Sequence, residues 1–179
     1  MLQTKLYTGS DFPELLDETS GKFIKLPEKF SLEGFEPSQN PMVPMVHKDY
    51  VFTKSLFRDV ALFLARPHGH ALWLAAPTGS GKTSVIAELA GRLNYPVYSI
   101  TCSRMEFDDL VGRPMVISKP GEQPSVKFIY GPLARAMKSG GILLLNEVDL
   151  CDPAQLSGLN DVLEGRPLTI TQNGGEQIQ

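Results

Sequence analysis

Two short stretches carry residue types at spacings that can do chemistry. Ala76-Pro-Thr-Gly-Ser-Gly-Lys-Thr83 matches the phosphate-loop pattern G-x-x-x-x-G-K-[ST], with Ala76 where the first glycine stands. Gly79 and Gly81 lack a Cβ, so they can take positive φ and bring backbone N–H groups close to phosphate oxygens at the positive end of the following helix. Lys82 would neutralise the β- and γ-phosphates, and Thr83 would offer a hydroxyl to Mg²⁺. The nucleotide-binding candidates are therefore Pro77, Thr78, Gly79, Ser80, Gly81, Lys82, Thr83 and Ser84. The competing reading is a chance glycine turn ahead of a helix; an apolar run, a loop and an amphipathic helix in the required order argue against it.

The second stretch is Ile142-Leu-Leu-Leu-Asn-Glu-Val-Asp149, which follows Gly140-Gly141. Four consecutive aliphatics predict a buried parallel strand, and Asn146 and Glu147 fall at its C-terminal end, where open α/β sheets bind ligands. A glutamate at that point can orient a water and help deprotonate it for in-line attack on the γ-phosphate. The plainer alternative for Glu147 is a strand-end or capping charge.

Around these stretches the chain must supply positioning elements. Ala71–Ala76 reads as a strand buried on both faces and too short to span a membrane. Behind the loop, Val85, Ile86, Leu89 and Leu93 recur at helical spacing, with Glu88 and Arg92 facing away. Residues 1–46 collect Pro13, Pro27, Pro37, Pro41 and Pro44 and read as an irregular leader, in which Ser10–Thr19 offers at most a short helix. Ser55–Ala65 places Leu56, Val60, Phe63 and Leu64 on one helical face, and Arg66-Pro-His-Gly69 ends that helix. Val97–Thr101 is a second strand, reached from Ala71–Ala76 by a right-handed crossover. Phe107, Leu110 and Val111 follow a capped turn and face the core, while Asp108 and Asp109 read as a solvated turn in preference to a metal site.

Farther on, Arg113–Tyr130 holds two β-prone runs around Pro120-Gly121 and predicts a hairpin insertion. Gly131-Pro132 opens a helix that Gly140-Gly141 closes. Asp152-Pro-Ala-Gln155 is a capping-box-like start to a helix with Leu156, Leu159 and Leu163 on its apolar face and Gly165 at its end. Pro167–Thr171 and Glu176–Ile178 flank a hairpin turn at Asn173-Gly-Gly175.

The whole composition bounds the reading. The chain has 179 residues, 42% of them hydrophobic, enough for a real core and about one domain. With 17 Lys and Arg against 20 Asp and Glu the net charge is −3, so no basic footprint supports nucleic-acid binding. No secretory leader or membrane-length apolar run is visible, and the expected compartment is the cytoplasm. Cys102 and Cys151 lack CxxC spacing and read as reduced thiols, not a disulfide framework or zinc site. His68 and His70 read as loop residues.

Taken together, residues 44–178 resemble the MoxR-like and CobS-like branch of the AAA+ ATPases, relatives of the dynein and midasin modules. APTGSGKT resembles the Walker A loop, ILLLNE the Walker B strand and FDDLVG the segment after the second strand; GPLARAMKSGGILLLNEVD and LEGRPLTI resemble the stretches leading into and out of Walker B. VPMVHKDYVF resembles CobS-type chelatase subunits. The resemblance implies an α/β fold, the P-loop NTPase three-layer sandwich with a parallel sheet, here an incomplete AAA+ core over residues 47–179. It implies ATP and Mg²⁺ as cofactors and a homo-oligomeric ring, usually hexameric, that remodels a client protein or drives metal insertion with a chelatase-type partner subunit. By position, Lys82 and the loop amides hold phosphate, Thr83 ligates Mg²⁺, Glu147 activates water, Asp49–Phe52 lie near adenine, and the 113–130 hairpin faces the ring pore or a client.

Two departures from the family pattern bear on activity. Asn146 stands where the family has Asp; its amide can accept a hydrogen bond from a Mg²⁺-bound water but removes one negative charge. The chain also stops at Gln179, ahead of the family's sensor strand, arginine finger and helical lid, so the expectation is a fragment of a longer protein or a chain that hydrolyses ATP poorly alone. The second function reading is accordingly a non-hydrolysing ATP-binding assembly module. A small-molecule kinase is disfavoured, because no arginine-rich lid is visible.

Overall fold

In a computed structural model the described residues are 2–67, 70–77, 79–118, 120–121 and 123–179. They fall into two compact units, Met1–Val97 and Tyr98–Gln179.

In the first unit the leader is built of strands. β1 (Thr4–Thr8) pairs antiparallel with β4 (Ser31–Phe35), and between them β2 (Leu15–Asp17) pairs with β3 (Lys22–Ile24). The alternation in β4 puts Leu32 inside and Glu33 outside, the period of a strand with one wet face. α1 (Lys54–Ala65) and α2 (Lys82–Arg92) complete the unit. Phe52 and Phe57 are each 1% exposed, and with Phe12 and Phe30 they form an aromatic cluster of edge-to-face and tilted pairs with centroids 5.4–5.8 Å apart. The leader is tied into this core by main chain, the Leu16 N–H donating to the Phe52 carbonyl (2.8 Å).

The second unit begins in β5 (Val97–Thr101) and runs through α3 (Phe107–Val111), β6 (Gly112–Ile117), β7 (Ser125–Tyr130), α4 (Pro132–Ser139) and β8 (Ile142–Asn146). β6 and β7 form the expected antiparallel hairpin, from Gly112 opposite Tyr130 to Ile117 opposite Ser125. α4 starts at Pro132 and ends on Gly140 in the left-handed region (φ 69°), as the Pro and Gly positions dictate. β5 pairs with β8, and Cys102, just past β5, donates to the carbonyl of Asn146, the last residue of β8. The two strands therefore end side by side and run parallel. After β8 come α5 (Pro153–Leu156), α6 (Asn160–Leu163) and the antiparallel pair β9 (Leu168–Ile170) and β10 (Glu176–Ile178). Leu110, Leu133, Ala134, Leu168 and Ile170 make the centre of the core.

Several expectations are corrected here. Ala71–Ala76 is not in a strand: it joins no ladder, Leu72 and Leu74 are half-buried, and Trp73 is 67% exposed. A strand exists only where another edge satisfies its N–H and C=O groups, and among the described residues no strand pairs with this run. The three-layer sandwich is accordingly reduced, among the described residues, to five two-stranded sheets. β8 is half-buried along its length, because it has one strand neighbour where a central strand has two. The leader is not irregular, and at Ser10–Thr19 it makes a turn and β2, with no α-helix. α1 is rotated from its expected face, burying Phe57, Val60 and Ala61. The helix after Asp152 is broken into α5, a tight turn over Ser157–Leu159, and α6. The break coincides with Gly158, where a Cβ would meet the Phe107 ring at 2.5 Å.

A polar cluster ties three elements of the second unit together. Glu176 in β10 accepts from Lys138 of α4, Tyr130 of β7 and Asn173, each at 2.6 Å. These hydrogen bonds, Lys138's the largest, hold the Glu176 carboxyl at about 2 against an ordinary 4.5. A depressed carboxyl favours the folded state above its unfolded pKa and loses that advantage as pH falls towards its folded one. The thermal midpoint of the wild type is expected to drop as pH falls from 4.5 towards 2, and Glu176→Gln to start lower and drop less, as followed by circular dichroism.

Candidate functional site

The phosphate loop has the backbone its glycines predict. Gly79 (φ 81°) and Gly81 (φ 83°) are both left-handed, and a Cβ built on either meets nothing within 4 Å. Glycine is needed there for the backbone turn, not for room. Ser80 N–H donates back to the Pro77 carbonyl (3.3 Å), and the Gly81 carbonyl accepts from Val85 N–H (3.1 Å), starting α2. Among the described residues no side chain caps α2, and its first-turn amides stand at the positive end of the helix. Thr83 and Ser84 are exposed at the first turn. The Lys82 ammonium donates to the carbonyls of Ala76 and Pro77 (3.0 Å to the latter), closing the loop on its own cation. An arriving phosphate would compete with those carbonyls for the same charge. Thr78 and His68 lie outside the described residues; His70 is exposed.

The outer side of α2 corrects the sequence reading. Val85, Ile86, Leu89 and Leu93 are buried as expected, but Glu88 does not face solvent: it is 2% exposed. A buried carboxylate is costly unless its oxygens are bonded. His47 N–H donates to both of them (3.0 and 3.2 Å), and the His47 ring Nδ1 also hydrogen-bonds Oε1. Arg92, one turn along, lies 3.5 Å from Glu88, donates to the His47 carbonyl (3.1 Å) and covers the Phe52 ring at 5.6 Å. The same strap passes so close over α2 that a Cβ on Gly91 would sit 2.5 Å from the Pro44 carbonyl. Burial, then the Glu88 charge, raise the pKa of Tyr50 in this strap. His47, Glu88 and Arg92 were absent from the candidates; the visible signal was a Glu and an Arg four apart on a helix, the spacing of an ion pair.

In the second unit the strand-end residues stand where the sequence puts them. Asn146 is half-buried and its carbonyl accepts from Cys102 N–H (2.9 Å). Glu147 is exposed and left-handed (φ 54°, ψ 45°), a conformation that costs a non-glycine residue about 1–2 kcal/mol and recurs where function holds it. It turns the chain from β8 into a single tight turn, Val148–Leu150, with Leu150 N–H donating to its carbonyl (3.0 Å). Asp108 and Asp109 have structural partners: Asp109 accepts from Glu106 N–H (3.0 Å) and pairs with Arg113, and Asp108 accepts from Gln172 (3.0 Å).

Residues 71–179, from the run before the loop to the end of β10, match the family model "AAA domain (dynein-related subfamily)". The chain belongs to this family. AAA domains are nucleotide-binding modules of ATPase type. The uncharacterised protein YojN of Bacillus subtilis is 33% identical over 70% of the chain, and an uncharacterised Staphylococcus haemolyticus protein is 32% identical over 75%. A third, from Staphylococcus saprophyticus, is 36% identical over 59%. The chain spans 41%, 51% and 40% of these relatives' own lengths.

Two substitutions separate backbone from side-chain demands in this AAA domain. Gly81→Ala places a Cβ at positive φ in open space, and is expected to cost about 1–2 kcal/mol in urea unfolding. Glu88→Ala strands Arg92 and the His47 N–H and is expected to cost roughly 2–4 kcal/mol, with Glu88→Gln recovering part of it by retaining an acceptor.

Proposed function

We propose that this AAA domain binds ATP with Mg²⁺ and hydrolyses it as part of a ring of the MoxR-like or CobS-like kind, acting on a client protein or on a chelatase-type partner subunit. The observation that carries the reading is the loop itself. Two left-handed glycines lead into a helix of eleven residues that no described side chain caps, so that its first-turn amides can receive an anion, inside the stretch that matches the family. In this reading the amides from Gly79 to Ser84 and the Lys82 ammonium hold the phosphates, and the exposed Thr83 hydroxyl reaches the metal. Mg²⁺, when bound, would offset charge on the β- and γ-phosphates. Glu147 orients and deprotonates the attacking water, and Asn146 accepts from a metal-bound water in place of a carboxylate. Of the segment assigned to adenine, Asp49 and Val51 are exposed and available, whereas Phe52 belongs to the core. The β6–β7 hairpin leaves Met115, Val116, Val126 and Ile129 in solvent, apolar side chains suited to a client or a ring neighbour. Among the described residues no helix is long and apolar enough to cross a membrane.

Asn146 favours one second reading, a domain that binds ATP as an assembly signal without turning it over. ATP affinity and Mg²⁺-dependent turnover of the wild type, Lys82→Ala and Glu147→Gln decide between them. The expected outcome is ATP affinity lowered by about tenfold or more in Lys82→Ala. In Glu147→Gln, turnover falls by about 100-fold or more with binding kept. Tight binding without turnover in the wild type would favour the assembly module, and Asn146→Asp would then be expected to restore hydrolysis if the missing charge is the cause. No ATP binding would refute both.

A further inference from the structure

Cys102 and Cys151 are far apart in the sequence but share the buried cluster at the centre of the second unit, Cys102 fully buried and Cys151 8% exposed. The backbone brings them there from two directions. Cys102 is the residue just past β5, and its N–H donates to the Asn146 carbonyl at the end of β8 (2.9 Å). From Asn146 the chain takes the left-handed step at Glu147 and one tight turn, and Cys151 closes that turn by donating its N–H to the Val148 carbonyl (3.2 Å). Burial first, then the neighbouring Cys151, push the Cys102 thiol above its ordinary value. Their surroundings, Met105, Leu110, Leu133 and Leu159, are apolar, and neither thiol has a part in the nucleotide reading.

We infer that Cys102 and Cys151 form a modification site, a thiol pair that a small disulfide of the glutathione type oxidises to an internal disulfide, fastening the end of β5 to the turn that begins at Glu147. Cys151, the more exposed thiol, attacks one sulfur of the small disulfide, its proton passing to the thiolate expelled and a mixed disulfide remaining. Cys102, deprotonated in turn, attacks the Cys151 sulfur, forming the internal bond and expelling the second thiolate. Two protein thiols are oxidised by two electrons, the small disulfide is reduced to two thiols, and the two protons end on the departing thiolates. Cys102 is fully buried and Cys151 is the more exposed, so Cys151 reacts first.

The test reads the bond itself and is independent of ATP binding. The folded chain is incubated with glutathione disulfide, alkylated, and mapped by mass spectrometry without reductant. The expected product has lost the mass of two hydrogen atoms, carries one cross-link joining the Cys102 and Cys151 peptides, and reverts with dithiothreitol. Cys102→Ser is expected to stop at a glutathione adduct on Cys151, and Cys151→Ser to take up little glutathione while its circular dichroism stays that of the wild type. Stable glutathione adducts on the wild type, disulfide-linked dimers in place of the internal bond, or two thiols that remain free in the folded chain would each overturn the inference.

Discussion

A carboxylate kept from water in the middle of a helix must find donors, and in the first unit that requirement organises much of the structure. Glu88 cannot be solvated at 2% exposure, so it takes its hydrogen bonds from the His47 main chain and ring and its countercharge from Arg92. Satisfying it fixes where the strap before α1 runs and holds that strap across the phosphate-loop helix. The bare backbone at Gly91 is then a requirement, because the strap's main chain occupies the volume a side chain would need. Phe52, carried by the same strap, is placed under the Arg92 guanidinium and in the aromatic cluster that also secures α1.

The second unit solves a different problem, anchoring a short parallel strand pair that, among the described residues, has no wider sheet around it. β5 and β8 end together, and the hydrogen bond from Cys102 to Asn146 extends their pairing one residue beyond the strand. The chain then reverses through Glu147, whose left-handed backbone is a local cost to a non-glycine residue. Farther out, the Lys138, Tyr130, Asn173 and Glu176 cluster joins α4 to both hairpins with polar contacts that solvent reaches, where a larger core would use apolar area.

For function, the two candidate stretches differ in kind. In the proposed reading the glycine loop is a backbone site, made by its left-handed glycines and the first-turn amides of α2. Such a site recognises charge and shape, which suits phosphate and says little about what the energy of hydrolysis would drive. In the proposed reading the strand-end stretch would act through side chains, and Asn146 in place of a carboxylate would weaken its field toward a divalent cation while keeping a hydrogen-bonding amide.

Local signals in the sequence were enough to determine the elements whose stability is local. Glycines at the loop, Pro132 and Gly140 around α4, the Asn173-Gly-Gly turn and the β6–β7 pair all appear as their residue types dictate, because a dihedral or a missing N–H acts within a few residues. The family, too, was legible, since its motifs are contiguous. What only the tertiary structure decided is what needs a distant partner. Whether Ala71–Ala76 becomes a strand depends on an edge elsewhere in the chain, and its apolar run cannot report that none pairs with it. Glu88 looks solvent-facing in a helical pattern until a strap 41 residues earlier is found covering it. Cys102 and Cys151 look unrelated until β5 and β8 end side by side, because proximity between remote residues is a property of the packed chain and not of their spacing.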